Sequence, residues 1–399
     1  MPPKKSSTSD QKPQEKNNSG FTDFGLKQEI LDKIRENGFE RPSDVQQSTI
    51  PQCLERNDII CQAKSGKGKT CVFVLSILQL LDFIPSPAPI QALVLCHTHE
   101  LALQISEEFE RFSSDIKVIR TVGKTPIHLQ KQQIEAKSAQ ILVGTLGRVA
   151  DLCKREILDL KDIKILVVDE ADSLLSEKTK PQFADVMQFL PTDKQTMVFS
   201  ATFSEEALLS CKEILRAGFK EVRIDDKNLV LHGLHQRYVK LEEADKLDFL
   251  LDVLKLSYTQ AVIFTSSTER CRTLQQFLSE NQIDCNAFYG HMNQKQREEL
   301  YKSFKTRKTR IMVATDIFQR GVDFEGVNLV VHFDMPQDCD SYLHRSGRAG
   351  RFETNGAIIS FNSSEDDQKV LDEIQDRFAV AIQSMTSSVD IDEKSCFLK

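Results

Sequence analysis

The stretch from Ala63 to Thr70 constrains the fold of this chain more than any other. It reads Ala-Lys-Ser-Gly-Lys-Gly-Lys-Thr, between an apolar run that ends at Cys61 and a helix-compatible apolar stretch that begins at Val72. A strand, a small-residue loop ending in Gly-Lys-Thr and a helix together form a P-loop. The backbone N–H groups of such a loop bind phosphate oxygens, aided by the positive end of the helix dipole. The sequence therefore predicts a nucleotide-binding site.

Within this loop, the chemistry of the side chains assigns individual roles. Lys69 is expected to reach the terminal phosphates, and the Thr70 hydroxyl is expected to ligate Mg²⁺. Ala63 occupies the position where the general pattern has its first glycine. A lysine-rich turn that matches the pattern by chance is the alternative. The residues predicted to bind ATP here are Ala63, Lys64, Ser65, Gly66, Lys67, Gly68, Lys69 and Thr70.

Length and composition indicate a two-domain protein without a membrane segment. A chain of 399 residues, 40% of them apolar, is long enough for two packed cores. The net charge is −7, so any nucleic-acid site must be a local basic patch. The 10 cysteines form no Cys-x-x-Cys pair, which argues against a zinc site and is typical of reduced thiols in the cytosol or nucleus. No apolar run approaches the ~18 residues of a membrane span.

Two successive alternations of apolar runs and helical patterns predict an α/β fold, with two tandem domains that each hold a parallel sheet between helices. Strands are expected at 92–96, 117–121, 140–144, 163–168 and 196–200, then at 237–241, 261–265, 286–289, 310–314, 328–333 and 357–361. The predicted divisions are a disordered tail 1–20, a first domain 21–225, a linker 226–236, a second domain 237–384 and a loosely ordered tail 385–399.

Acidic and hydroxyl residues follow two of the predicted strands. The fourth strand runs into Asp169, Glu170 and Asp172, and ligands of open α/β sheets bind at the carboxyl ends of strands. Beside a P-loop, Asp169 would hold Mg²⁺ and Glu170 would polarise the attacking water. An acidic helix N-terminus is the alternative. Ser200 and Thr202 follow the next strand and fit hydroxyls that link the nucleotide site to domain closure.

Two further groups are predicted to contact the nucleotide. The amide of Gln46 can pair bidentately with adenine, and Phe21 could pack on the base or anchor the core. Near the chain's other end, Arg348 and Arg351 lie three residues apart and so share a helical face. Two planar cations presented together suit a γ-phosphate. Across a domain cleft they would act as arginine fingers, and a surface basic patch is the alternative.

The order of these motifs resembles that of a DEAD-box ATP-dependent RNA helicase over roughly 21–384. The resemblance implies two RecA-like domains and hydrolysis of ATP with Mg²⁺. The stretches that resemble the nuclear mRNA-export and splicing subgroup are 61–66, 96–98, 231–234 and 334–345. That subgroup typically has Asp-Glu-Cys-Asp at its acidic motif, whereas this chain has Ala171, as the wider family does. Ala171 favours a translation-initiation helicase as the runner-up.

The family pattern also implies RNA contacts. These contacts go to phosphate and 2′-OH groups and therefore do not recognise the base sequence. Three first-domain positions depart from it, since His99 replaces the usual Arg, Lys124 the second of two glycines, and Leu146 a proline. We therefore expect the first domain to bind RNA more weakly than the family pattern implies. The resemblance also adds Asp323 to the ATP site. The residues that match RNA-contact positions are Thr98, His99, Gly123, Thr145, Arg148, Arg297, Thr315, Arg320 and Gly321.

The resemblance predicts an RNA-stimulated ATPase that unwinds RNA or remodels RNA–protein complexes in nuclear mRNA splicing and export. The implied partners are single-stranded or short duplex RNA and mRNA export or splicing proteins. The core is expected to be monomeric. The protein is expected to be nuclear, with shuttling to the cytoplasm. An ATP-gated RNA clamp with little turnover is the alternative from another class. The residues that argue against it are Lys69, Asp169, Glu170, Arg348 and Arg351.

Overall fold

The structure, a computed structural model, describes residues 20–64, 66–82, 84–223, 234–318, 324, 326–350 and 355–397. Two seven-stranded parallel sheets organise these residues, one in each half of the chain. The predicted α/β class with two tandem parallel sheets is confirmed. Among the described helices, none is both long and apolar enough to span a bilayer.

The described part of the first domain forms the following elements. Its strands are β1 (Ile59–Gln62), β2 (Ala92–Cys96), β3 (Val118–Thr121), β4 (Ile141–Thr145), β5 (Ile165–Asp169), β6 (Gln195–Ser200) and β7 (Lys220–Arg223). Its helices are α1 (Gln28–Glu36), α2 (Asp44–Leu54), α3 (Lys69–Leu80), α4 (His99–Phe112), α5 (Ile127–Glu135), α6 (Leu146–Lys154), α7 (Ala171–Leu174), α8 (Lys180–Met187) and α9 (Glu205–Glu213).

The described part of the second domain repeats this alternation. Its strands are β8 (Leu234–Lys240), β9 (Gln260–Phe264), β10 (Asn286–Phe288), β11 (Ile311–Ala314), β12 (Val327–His332), β13 (Gly356–Asn362) and β14 (Gln383–Ser384). Its helices are α10 (Lys246–Val253), α11 (Thr268–Glu280), α12 (Gln294–Lys305), α13 (Cys339–Ser346), α14 (Glu365–Phe378) and α15 (Glu393–Phe397).

The two sheets have the same topology. The strand order is β3-β4-β2-β5-β6-β1-β7 in the first and β10-β11-β9-β12-β13-β8-β14 in the second, which match when each domain's strands are numbered from one. Parallel strands need crossover connections, and the helices in these connections cover both faces of the sheet. Two apolar clusters accordingly line the two faces of each sheet.

The central strand β5 shows why the strands are apolar throughout. Ile165 and Val167 enter the cluster on one face of the first sheet, whereas Leu166 and Val168 enter the cluster on the other. Successive side chains of a strand point to opposite faces. A strand buried on both faces therefore carries no polar alternation, and the strand positions predicted on this basis agree with the structure to within a few residues at their ends.

Two features differ from the sequence-based expectation. The edge strands β7 and β14 were not predicted because both are short, polar and mostly exposed. Residues 385–397, which belong to the tail expected to be loosely ordered, pack on the second domain. Ile391 and Cys396 are buried in its core, and Glu393 accepts a hydrogen bond from the Ser257 N–H at 3.0 Å. Apart from Gly20 and residues 234–236, which are the first three residues of β8, the predicted tail 1–20 and linker 226–236 lie outside the described residues.

Candidate active site

The carboxyl edge of the first sheet is divided between two groups of loops. Because all its strands are parallel, the segments that follow them emerge at one edge. The neighbouring strands β5, β6 and β1 lead into the acidic motif, the segment after Ser200 and the P-loop. The neighbouring strands β3, β4 and β2 lead into positions predicted to contact RNA. Strand order therefore brings together three nucleotide motifs that are far apart in the sequence.

The P-loop backbone requires a glycine at Gly68. Its φ of 85° is a left-handed conformation that side chains disfavour, and a Cβ there would lie 2.3 Å from Nε2 of Gln46. That nitrogen donates to Gly68 O at 3.4 Å, while Gln46 Oε1 accepts from the Ser43 N–H at 2.9 Å. Ser43 Oγ also donates to Lys67 O at 2.8 Å. The structure thus places Gln46, predicted to recognise adenine, where its amide supports the P-loop.

Lysines concentrate positive charge at this loop. Lys69 opens α3, and its Nζ donates to Ala63 O at 2.5 Å and to Lys64 O at 3.2 Å. Burial, with a smaller contribution from the neighbouring Lys67, lowers the pKa of Lys64 to about 8. A nearby anion favours the charged form of a lysine. The donors therefore fit a polyphosphate bound at the positive end of α3.

Carboxylates at the end of β5 line the same cleft as the P-loop. Burial raises the pKa of Asp169 to about 7, and Glu170 raises it too, whereas Lys69 lowers it. Glu170 has a φ of 55°, a strained conformation for such a residue and one that clusters at functional sites. Its buried Oε2 has no hydrogen-bond partner within the described residues. A hard divalent cation, held by Asp169 and Thr70 together with phosphates, fits this donor set.

A chain of hydrogen-bonding groups connects β6 to the second domain. Ser200 Oγ donates to Asp172 Oδ1 at 2.7 Å, and Asp172 Oδ2 lies 3.3 Å from Nε2 of His344. Because His344 belongs to α13, the chain crosses the domain interface. Thr202, predicted with Ser200 to link the nucleotide site to closure, is buried, and its Oγ1 has no hydrogen-bond partner in the described part of the chain.

The two domains enclose a cleft of about 500 Å³. The residues on its first-domain wall include Gly66, Gly68, Lys69, Thr70, Asp169 and Glu170. The second-domain residues that line it are Gln260, Lys305, Arg307, Phe324, Gly326 and His344. A nucleotide bound at the P-loop would therefore lie in a cleft whose opposite wall belongs to the other domain.

Aromatic packing distinguishes between the two roles considered for Phe21. Its ring lies in the core of the first domain, edge to face with Phe24 and Phe39, at centroid distances of 5.9 and 6.4 Å. Phe39 lines the cleft instead, and the guanidinium of Arg111 lies 5.1 Å from its ring centroid. The geometry favours the core role for Phe21 and adds two cleft residues, Phe39 and Arg111, that sequence reasoning missed.

The predicted arginine pair lies only partly within the described residues. Arg348 is buried, and its Nε donates to His344 O at 3.2 Å. The neighbouring Arg345 pairs with Asp316 at 2.5 Å and donates to Asp334 O at 2.8 Å, so it stabilises the second domain itself. The predicted site residues that lie outside the described part are Ser65, Arg320, Gly321, Asp323 and Arg351.

Helices α4 and α12 join the two domains through paired side chains. The pairs are His99 Nδ1 with Gln294 Oε1 at 2.5 Å, Glu100 with Arg297 at 2.6 Å, and Glu107 with Lys305 at 2.6 Å. Partners follow the same order along both helices, so the helices run parallel at this interface. Leu103 of α4 lies between these contacts and packs against the apolar core of the second domain.

Comparison with known proteins places the chain in a family. Residues 43–209 match the DEAD/DEAH box helicase family, and residues 245–353 match the helicase conserved C-terminal domain. The chain is 45% identical to Arabidopsis thaliana DEAD-box ATP-dependent RNA helicase 15, over 93% of this chain and 88% of that protein. This chain is a DEAD-box ATP-dependent RNA helicase. It is also 45% identical to the Schizosaccharomyces pombe ATP-dependent RNA helicase uap56, over 94% of this chain and 87% of that protein.

Solved structures confirm the tandem RecA-like fold of this helicase. Saccharomyces cerevisiae Dbp5 bound to RNA and ADP BeF3 superposes with a TM-score of 0.86 at 29% identity, covering 94% of this chain and 97% of that one. A DEAD box protein from Methanococcus jannaschii gives a TM-score of 0.53 at 30% identity, covering 92% and 99%. The identity and coverage of these two comparisons are similar. We therefore attribute the difference between their TM-scores to the relative placement of the two domains, which in this chain resembles that in RNA-bound Dbp5.

The first-domain positions predicted to contact RNA lie after β2, β3 and β4 in the helicase. Thr98 caps α4 by accepting from the Leu101 N–H at 3.2 Å. Arg148 donates to Thr125 O at 2.8 Å. Gly123 and Thr145 lie at the ends of the other two strands, and in the second domain Thr315 follows β11. Their contacts with RNA stay predictions.

Arg297, which matches a family position for RNA contact, forms an ion pair with Glu100 at 2.6 Å. Its side chain is 5% exposed and that of Glu100 is 3% exposed, and burying a charge is costly unless it is paired. The guanidinium also lies 5.2 Å from the ring centroid of Phe288. Arg297 is thus one half of a buried ion pair between the domains, and its contact with RNA stays a prediction.

Two of the three departures from the family pattern also face the second domain. Lys124 Nζ donates to Met292 O at 3.0 Å and to Gly290 O at 3.4 Å. His99 pairs with Gln294, and burial lowers its pKa, with Arg297 and Lys124 adding to that shift while Gln294 and Glu100 oppose it. Leu146 is buried at the start of α6. The weaker RNA grip expected from these positions is thus accompanied by protein contacts that sequence reasoning did not foresee.

Proposed function

We propose that this helicase hydrolyses ATP in the cleft between its domains and uses the accompanying closure to unwind or remodel RNA locally. The observation that supports the proposal is the cleft between the two domains, because the P-loop and acidic motif form one wall and the second domain forms the other. In this scheme the site is complete only when the domains meet. ATP and RNA would each contact both domains only in the closed arrangement, so each should help the other to bind.

In this proposal the residues of the chain bind the phosphates and the metal ion and position the attacking water. Lys69 and the loop N–H groups hold the phosphates, and Thr70 with Asp169 holds Mg²⁺. Bound Mg²⁺–ATP supplies the reactive phosphoryl group and the neutralising charge of the metal. Glu170 orients the attacking water through its Oε2. Arg348 and Arg351 stabilise the charge that develops on the phosphoryl oxygens.

An ATPase assay with and without single-stranded RNA tests the proposal. We expect RNA to stimulate turnover of the wild-type protein. Glu170→Gln should keep ATP affinity and lose hydrolysis, because the amide cannot accept the proton of the water, and the result should be a long-lived complex with RNA. Normal turnover by Glu170→Gln would contradict the role of Glu170. No turnover by the wild type, with or without RNA, would contradict the catalytic proposal.

We further propose that the RNA is mRNA during nuclear splicing and export, with export or splicing proteins as partners. The support is the set of subgroup-like stretches in the sequence together with the 45% identity to the relative named uap56. Ala171 supports the alternative, a role in translation initiation. Tagged protein recovered with spliced nuclear mRNA is the expected result. Recovery exclusively with cytoplasmic initiation complexes would contradict a nuclear role.

The inter-domain contacts favour a second candidate, an ATP-gated RNA clamp with little turnover. Paired side chains along α4 and α12 stabilise the closed arrangement, and slow reopening would limit turnover. Comparing a single round of hydrolysis with the steady state separates the two candidates. A fast first round followed by a much slower steady state would indicate the clamp, whereas equal rates would indicate the helicase cycle.

A further inference from the structure

Lys124 contacts the segment that enters α12 of the second domain. Its ammonium donates to the carbonyls of Gly290 and Met292, two acceptors within three positions of each other. The next residue, Asn293, caps α12 through its side chain, which accepts from the Gln296 N–H at 2.9 Å. Lys124 therefore holds the start of the helix that pairs with α4. No part of this contact requires RNA.

Other first-domain groups reach the same end of α12. Arg120 on β3 lies 3.5 Å from Glu298, and Glu298 accepts a hydrogen bond from the amide of Gln294 at 2.8 Å. Gln294 in turn accepts from His99. The first turns of α12 are thus contacted from α4, from β3 and from the loop that carries Lys124. These contacts form one polar surface between the domains.

From this arrangement we propose that Lys124 is a positioning residue that stabilises domain closure in the absence of RNA. The proposal rests on the proposed function, because closure matters only if the site is completed across the cleft. A contact that favours the closed state without RNA supplies part of the closure that RNA otherwise supplies. The helicase should therefore have measurable RNA-independent turnover and a correspondingly smaller stimulation by RNA.

Lys124→Gly tests this inference with little risk to the fold. Lys124 has a φ of 63°, a left-handed conformation that glycine adopts without strain. Lys137 offers a matched control, since it is an exposed lysine with a φ of 44° inside the first domain, where its carbonyl accepts from the Ala88 N–H. Lys137→Gly removes the same charge from the same kind of backbone. Lys124→Arg retains the charge and the donors.

The measurements are ATPase rates without RNA and with saturating RNA, the KM for ATP, and the melting temperature. Lys124→Gly should lower the RNA-independent kcat about fivefold, the net effect of its two solvent-accessible hydrogen bonds on the closure equilibrium. The KM for ATP and the rate at saturating RNA should stay within about twofold. Lys124→Arg should restore most of the RNA-independent rate, and Lys137→Gly should leave it unchanged.

The opposite outcomes are equally specific. If Lys124 were an RNA-phosphate contact, Lys124→Gly would weaken RNA binding and reduce its salt dependence while leaving the RNA-independent rate intact, and this would overturn the proposal. So would a wild-type protein that is fully stimulated by RNA and has no turnover without it. Either result would leave the proposed helicase function standing, whereas absence of turnover under every condition would overturn both.

Discussion

The buried ion pair between Arg297 and Glu100 should control domain closure. Arg297→Met leaves the Glu100 carboxylate buried in the closed state without its counter-charge, and breaking a buried pair in this way costs about 3–5 kcal/mol. In an open arrangement water solvates both groups, so the cost falls on closure rather than on folding of either domain. Arg297 Nε and Glu100 Oε1 have no hydrogen-bond partners among the described residues. Because the pair is incompletely hydrogen-bonded, its loss should cost the lower value of this range, about 3 kcal/mol. About 3 kcal/mol corresponds to roughly a 100-fold change in the closure equilibrium.

The assay is the RNA concentration that half-maximally stimulates ATPase activity. Arg297→Met should raise it by roughly 100-fold, with unchanged melting temperature and unchanged ATP affinity of the first domain. Glu100→Gln should impair stimulation as severely, and combining both changes should recover much of the loss, because no lone charge is then buried. Lys154→Met is the control, since it breaks an exposed pair within the first domain. If Glu100→Gln stimulates normally while Arg297→Met does not, Arg297 contacts RNA and the ion-pair argument fails.

Three further predictions concern individual side chains. ATP should raise the pKa of Lys64 from about 8, so calorimetry at pH 8 in buffers of different ionisation enthalpy should detect proton uptake in the wild type; equal uptake by Lys64→Gln would refute the assignment. Because the pKa of His99 is lowered at the domain interface, its contribution to closure should be present above its ordinary pKa of about 6.5 and lost as pH falls. Fluorescence anisotropy with an ATP analogue should therefore show RNA binding weaken from pH 7.5 to 5.5 in the wild type but not in His99→Gln. Arg348→Ala should retain ATP affinity and lose about 10³-fold of RNA-stimulated turnover; a lower melting temperature with a proportionate loss of every activity would instead indicate a structural role.

Local patterns in the sequence were sufficient to predict the fold and the P-loop and acidic residues that line the cleft. The P-loop is a short segment whose spacing indicates a strand–loop–helix unit. The acidic motif is equally short and marks the end of a buried strand. The α/β alternation is equally local, because runs that are apolar on both faces identify buried parallel strands. Gln46 was predicted to pair with adenine, and in the structure its amide supports Gly68, because the capping geometry of α2 turns it in that direction.

Contacts between the domains could not be predicted in this way. Arg297 and Glu100 are 197 positions apart, and nothing in the segment of either residue identifies the other as its partner. Lys124 could be recognised as a departure from the family pattern, but its acceptors are backbone carbonyls, which carry no signal in the sequence. The C-terminal segment was also missed, because its few apolar anchors, among them Met385, Ile391 and Cys396, are separated by polar residues.

In the proposed mechanism nucleotide and RNA act on one closure equilibrium. The most direct measurement is the affinity of a fluorescent single-stranded RNA for the wild-type protein, with and without a non-hydrolysable ATP analogue at saturating concentration. RNA should bind at least about tenfold tighter with the analogue, within the usual range of coupling between two sites. Equal RNA affinity in both conditions would contradict this mechanism, because the cleft would then be completed without any help from RNA.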